Sequence, residues 1–76
     1  MKTIQVLGSG CSNCKTTAAL IETIAASRGV AIALEKVEDF QRIASFGILA
    51  TPGVVVDGKV VHAGGVPSKE KIAGWL

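Results

Sequence analysis

From Ser12 to Arg28 the chain carries neither proline nor glycine, and this stretch lies between two apolar segments, residues 2–7 and 30–37. No other feature constrains the fold as much. Leu20, Ile21, Ile24 and Ala25 recur at helical spacing and form one apolar stripe. Residues 2–7 alternate weakly and then meet Gly8-Ser9-Gly10, as a strand entering a turn does. Gly29 ends the helical pattern, with Arg28 at the negative end of the helix dipole. Beyond it Val30, Ile32 and Leu34 alternate with Ala31, Ala33 and Glu35, the period of a strand. A strand, a full helix and a second strand make a βαβ unit, and a crossover of that length makes the two strands parallel.

The remaining signals are turns. Glu38-Asp39 opens a short helix with acids in its first turn, Phe40, Ile43 and Ala44 are expected to face the core, and Gly47 stops it. A Thr51-Pro52-Gly53 corner leads into Val54-Val55-Val56. Asp57-Gly58 then marks a hairpin into Lys59-Val60-Val61-His62. Gly64-Gly65 breaks that strand. Pro67-Ser68 supplies the start and N-cap of a last helix with Ile72, Trp75 and Leu76 on its apolar face. The order is β-α-β-α-β-β-α, without repeat or linker, and residues 1–76 read as a single α/β domain. Only Phe40, Phe46 and Trp75 are aromatic, so the core must be built from Ile, Val, Leu and Ala.

Charge excludes several functions. The net charge of +2 comes from interspersed acids and bases, and no basic run or aromatic–basic interleaving points to nucleic acid. Thr3 and Gln5 interrupt the N-terminal apolar residues, so no signal peptide is expected there. No apolar stretch approaches a membrane span. The expected location is the cytoplasm, where a cysteine pair is more often catalytic or metal-binding than structural.

The pair in question is Cys11-Ser12-Asn13-Cys14, the only two cysteines of the chain, placed where the first strand hands over to the helix. Unpaired N–H groups and the positive dipole end favour a thiolate there, and the thiolate is the reactive form. A disulfide across two residues closes too small a loop to restrict the unfolded chain much, so its role reads as chemical. Lys15 reads as an exposed first-turn lysine. Ser12 and Asn13 are ordinary N-terminal-turn residues and candidates to donate hydrogen bonds to the Cys11 sulfur. The rival reading is a dithiol carrier for Cu(I), Zn or Hg(II), which soft thiolate pairs bind. Small ferredoxin-like βαββαβ metal carriers also place CxxC after strand one. There strand two leads into a hairpin, helix and strand, whereas this chain runs helix, hairpin, helix. A closed zinc site would need further ligands, and His62, the one histidine, reads as a solvated side chain on an edge strand.

With these residues placed, the chain resembles thioredoxin-fold proteins, and more narrowly the small thioredoxin-like redox-active disulfide proteins of bacteria and archaea. Four segments carry the resemblance: Gly8 to Cys14, Thr51-Pro52-Gly53, the Val54-to-Val61 hairpin, and Gly65-Val66-Pro67-Ser68. It implies a four-stranded mixed sheet flanked by three helices and a thiol–disulfide oxidoreductase that reduces or exchanges disulfides. By resemblance, Cys11 is the attacking cysteine and Cys14 the resolving one, with Gly10, Ser12 and Asn13 supporting them. Pro52 is the cis-proline against the dithiol, and Thr51 offers backbone groups to a substrate chain. The implied partners are protein or small-molecule disulfides and a thiol or flavoprotein reductase as electron donor. The implied protein is a monomer with no organic cofactor and no metal, only the Cys11–Cys14 disulfide. The chain departs from thioredoxin in having Gly10 in place of a tryptophan, Ser12-Asn13 in place of Gly-Pro, and no acidic residue in strand one.

Overall fold

Four strands, β1 (Lys2–Leu7), β2 (Ile32–Val37), β3 (Gly53–Val56) and β4 (Lys59–Ala63), make one sheet with β1 and β3 inside it, in the order β2-β1-β3-β4. Among the described residues there are also three helices: α1 (Ser12–Ser27), α2 (Phe40–Ser45) and α3 (Lys69–Trp75). The structure is a computed structural model and describes residues 1–9, 12–48 and 50–76. β1 and β2 are parallel, from Lys2↔Ile32 to Leu7↔Val37, as the helical crossover requires. β1–β3 and β3–β4 are antiparallel, so the sheet is mixed.

Alternation along β1 divides the core in two. Ile4 and Val6 pack with Ala18 and Ile21 of α1, Val54 of β3 and Ile72 of α3, while Trp75 and Leu76 close over the edge of this cluster. Leu7 points the other way and packs with Val37, Val55 and Ile43 of α2. Thus α1 and α3 cover one face and α2 covers the other.

Local chemistry fixes the element ends. Gly29 takes φ +67, donates its N–H to Ala26 O at 3.2 Å, and lets Val30 donate to Ala25 O at 2.9 Å. This is a Schellman cap, and it takes Val30 out of the strand, so β2 begins at Ile32 rather than at residue 30. The buried stripe of α1 is Cys14, Thr17, Ala18, Ile21 and Ala25, with Leu20 and Ile24 half-buried at its margin. Thr17 is a polar residue in that stripe, satisfied because its hydroxyl donates to Asn13 O at 2.8 Å. Asp57 (φ +50) and Gly58 (φ +84) make the hairpin turn, and Asp57 Oδ1 also accepts from Thr3 N at 2.9 Å.

The short helix differs from the sequence expectation. Asp39 is its N-cap, accepting from Gln41 N at 3.0 Å, and no acid lies in its first turn. Ile43 is buried, but Phe40 is 79% exposed and Ala44 is exposed too; Phe46 takes the packing role instead. With six residues, α2 has too little surface to turn three apolar side chains inward. It is also tied to the sheet from outside. Arg42 donates from Nη1 to Glu35 Oε2 at 3.2 Å and from Nη2 to Oε1 at 3.3 Å, while Gln5 Nε2 donates to Oε1 at 3.0 Å. The Arg42 hydrogen bond first, then that from Gln5, and the nearby guanidinium charge hold the Glu35 carboxyl below the usual glutamate range.

Candidate active site

The C-terminal end of β1 is where the predicted site residues meet. Gly8 follows β1 and donates its N–H to Val37 O at 2.9 Å, which extends the β1–β2 ladder by one bond. Cys14, in the first turn of α1, comes down against it. A Cβ built on Gly8 would overlap Cys14 Sγ, lie 3.2 Å from Cys14 Cβ and stand 3.7 Å from Thr51 Cβ. Only a residue without a side chain lets strand, helix and corner converge at this point. Cys14 is 6% exposed and disulfide-bonded. Ser12 and Asn13 are exposed. Gly10 and Cys11 lie outside the described residues.

The opposite wall is the Thr51–Pro52 corner. Leu7 pairs with Gly53, so the residues just beyond each strand, Gly8 and Pro52, come side by side. The Thr51–Pro52 peptide is cis. Pro52 is buried and Thr51 exposed, which leaves Thr51 presented to solvent beside the Cys14 region. The corner is braced from behind: Gly64 (φ +87) donates its N–H to Pro52 O at 2.9 Å. The sequence therefore placed Cys14, Thr51 and Pro52 in one site, and the structure brings those three together around Gly8.

Two clefts flank this centre, and of the residues that line them sequence reasoning assigned only Cys14 and Thr51 to the site. One, of about 220 Å³, is lined by Ser9 and Thr51 from the site and by Phe40, Ile43, Ala44 and Ile48 from the α2 side. The other, of about 10 Å³, lies behind Cys14 and is lined by Val6, Gly8, Lys15, Lys36 and Glu38. The signal for Lys36 and Glu38 was present as two charged residues, two apart, at the end of a strand whose alternate position, Val37, is buried.

His62 stands apart from the expectation of a solvated side chain. It is half-buried, its Nε2–H donates to Gly65 O at 2.8 Å, and Lys71 Nζ donates to its Nδ1 at 2.9 Å. Its ring is tilted 53° to that of Trp75, with centroids 6.2 Å apart. Nδ1 thus ties β4 to α3 through Lys71, Nε2 ties it to the turn at Gly65, and His62 acts as a structural bridge. Among the described residues no three His, Cys, Asp or Glu side chains converge as a metal set would, and no helix is long and apolar enough to cross a membrane.

A disulfide sulfur in the first turn of a helix, packed on a glycine and faced by an exposed threonine before a buried proline, is an arrangement suited to sulfur chemistry with an extended chain laid along the corner. Comparison with known proteins agrees with that geometry. The family model for the thioredoxin domain matches residues 2–76. A thioredoxin of Methanothermobacter thermautotrophicus is 35% identical over 72 residues, covering 95% of this chain and 94% of its own. A thioredoxin of Methanocaldococcus jannaschii is 33% identical over 72 residues, covering 95% of this chain and 83% of its own. The mixed sheet with its three helices is a thioredoxin-like α/β fold, a thioredoxin-like redox function goes with it, and the chain belongs to the thioredoxin domain family.

Proposed function

We propose that the protein is a thiol–disulfide oxidoreductase working through the Cys11–Cys14 pair. Cys11, as thiolate, attacks one sulfur of a substrate disulfide and forms a mixed disulfide. Cys14 then attacks the Cys11 sulfur, the Cys11–substrate bond breaks, and the reduced substrate leaves. Thr51 lends backbone groups to the substrate chain and Pro52 sets the corner beside the sulfurs. Protein or small-molecule disulfides are the substrates, a thiol or flavoprotein reductase returns the electrons, and the cytoplasm is the fitting compartment.

The observation that carries this reading is the meeting at Gly8. It sets the buried Cys14 sulfur and the exposed Thr51 around the space that a side chain on Gly8 would fill, in a chain whose family is one of redox proteins. A cysteine that is buried while its motif partner is one residue upstream of α1 suits the resolving role rather than the attacking one.

The test is a pair of variants. Cys14→Ser is expected to accumulate a mixed disulfide with substrate at Cys11, visible as an added mass that dithiothreitol removes. Cys11→Ser is expected to form none and to lose disulfide reductase activity. Reductase activity surviving in Cys11→Ser would reverse the roles. Stoichiometric Cu(I) binding by a wild type that reduces no disulfide would replace this reading with a soft-metal carrier.

A further inference from the structure

His62 has a polar partner at each ring nitrogen, and the dithiol chemistry uses neither. It pairs with Val54 across the β3–β4 ladder, so its side chain rises from the face that α3 covers. There Lys71 Nζ donates to its Nδ1 at 2.9 Å, and Trp75, one helical turn later, lays its ring beside the imidazole. A nitrogen that accepts leaves the ring proton on the other one. Nε2 therefore carries it and donates to Gly65 O at 2.8 Å. Lys71 of α3 thus selects the tautomer, and the tautomer ties down Gly65.

The turn held in this way reaches back to the site. Gly64 (φ +87) and Gly65 (φ +73) lie outside both helix and strand conformations, so neither supplies their hydrogen bonds. Gly65 O accepts from His62 instead, and Gly64 N–H donates to Pro52 O at 2.9 Å. A Cβ built on Gly64 would stand 3.3 Å from Ala50 Cβ, so the turn lies directly against the corner. The pyrrolidine ring fixes φ of Pro52 and the bond from Gly64 fixes its carbonyl, which leaves the corner no free backbone torsion at that residue. Thr51, the exposed residue of the corner, stands just before it. We propose that His62 is a positioning residue for substrate: through the Gly64–Gly65 turn it holds the Thr51–Pro52 corner where a substrate chain is laid. The proposal rests on the dithiol reading given above. Without the Nε2–H bond the turn loosens and its grip on Pro52 O with it. A chain binding along Thr51 must then order the corner as it binds, which weakens binding. A small disulfide that meets only the sulfurs escapes that cost.

Two disulfides separate the roles: insulin, whose disulfides sit in a chain, and 5,5′-dithiobis(2-nitrobenzoate), which has no chain. Reduced protein, freed of reductant, is mixed with an excess of either, and the loss of its thiols is followed by alkylation and mass. His62→Ala is expected to raise the half-saturating insulin concentration about two- to tenfold, the worth of one hydrogen bond, at an unchanged limiting rate. Its rate with the small disulfide should match wild type. His62→Gln, which keeps an N–H donor at the Nε2 position, should restore the wild-type insulin value. His62→Asn offers Lys71 an acceptor at the Nδ1 position but does not reach Gly65, so it should behave as His62→Ala does, and it decides the matter if His62→Ala does not fold. An unchanged half-saturating concentration in His62→Asn overturns the proposal. Equal weakening in His62→Gln and His62→Asn overturns it as well, because the donor would then not be the cause. So does an equal slowing with the small disulfide, which would mean that His62 acts on the fold or the sulfurs. The dithiol reading fails separately, taking the proposal with it, if wild type reduces neither disulfide.

Discussion

The two faces of the sheet are packed very differently. On one face α1 and α3 bury Ile4, Val6, Ala18, Ile21, Val54 and Ile72 in a continuous cluster with Trp75 and Leu76 at its edge. On the other, the six residues of α2 bring only Ile43 down onto Leu7, Val37 and Val55. Phe40 stays 79% exposed there, and a cleft of about 220 Å³ opens between α2 and Thr51. A chain with three aromatic residues cannot cover both faces equally. The difference is useful at the site. Cys14 belongs to the helix anchored on the dense face, whereas Thr51 opens towards the sparse one. A sulfur that must hold its position is fixed by the core, and the groups that meet a substrate lie where packing is incomplete.

Core truncations test that contrast most strongly. Ile21, on the buried face of α1, should lose about 3–4 kcal/mol on replacement by alanine, because the surrounding side chains cannot collapse into the hole. Ile43 is 8% exposed on a helix of under two turns and should lose about 2 kcal/mol, since the site can relax and water can enter. For a chain of this length, total stability is on the order of 4–11 kcal/mol, so Ile21→Ala comes close to unfolding the protein. Urea unfolding with matched m-values compares the two. Equal losses would mean that the faces are equally packed and that the contrast is one of appearance.

Gly8 is where the contrast reaches the site. Gly8→Ala places a methyl group on the Cys14 sulfur and should destabilise by about 1–3 kcal/mol, the usual penalty for an overfilled interior. The cause can be isolated. In a Cys14→Ala background the sulfur is gone, so the added methyl should be tolerated, and the double-mutant cycle should show a coupling of about 1 kcal/mol or more. Additive effects would place the clash elsewhere, on the Cβ of residue 14 at 3.2 Å or on the Thr51 Cβ at 3.7 Å.

Most of the fold was legible because it depends on strong local signals. The crossover helix, Gly29 and the Asp57-Gly58 turn each carry a mechanism that tertiary contacts did not override. The site was legible to the extent that it lies in motifs: Cys14, Thr51 and Pro52 were placed by the spacing of the cysteines and by family resemblance. What was not legible depends on distance across the sheet. Phe40 fits a helical apolar face, yet a helix of one and a half turns cannot point it inward. Thr17 lies outside the apolar stripe read from the sequence, and its burial is satisfied only because its hydroxyl donates to Asn13 O. Glu38 reads as an acid opening the short helix and Lys36 as part of the second strand, and only the β1–β2 register puts them behind Cys14. His62 reads as solvated because Lys71, nine residues later, is the partner that fixes it.

Phe40→Ala sharpens the comparison from the other side. A residue 79% exposed has little to lose, so stability should stay within about 0.5 kcal/mol of wild type. Because Phe40 lines the cleft beside Thr51, the same variant should weaken the KM for a protein disulfide more than for a small one. A stability loss comparable to that of Ile43→Ala would show that α2 packs Phe40 inward in solution and would erase the sparse face.

The smallest effect concerns what holds α2 in place of a deep core. Arg42 of α2 and Gln5 of β1 both donate to Glu35 of β2, an exposed set that joins helix and sheet across the outside. The sign of its pH dependence follows from the lowered carboxyl. The folded chain releases the Glu35 proton more readily than the unfolded chain, whose glutamate titrates near 4.5. The stabilisation is therefore complete above that value and fades as pH falls through the lower folded value. Wild type should melt slightly above Glu35→Gln at neutral pH, and the two curves should converge in acid. High salt should also narrow the gap, because the pair is exposed. A gap that persists undiminished in acid would assign the effect to the shape of the side chain rather than to its charge. The sparse face would then owe its order to packing after all, and the two faces would differ in extent but not in kind.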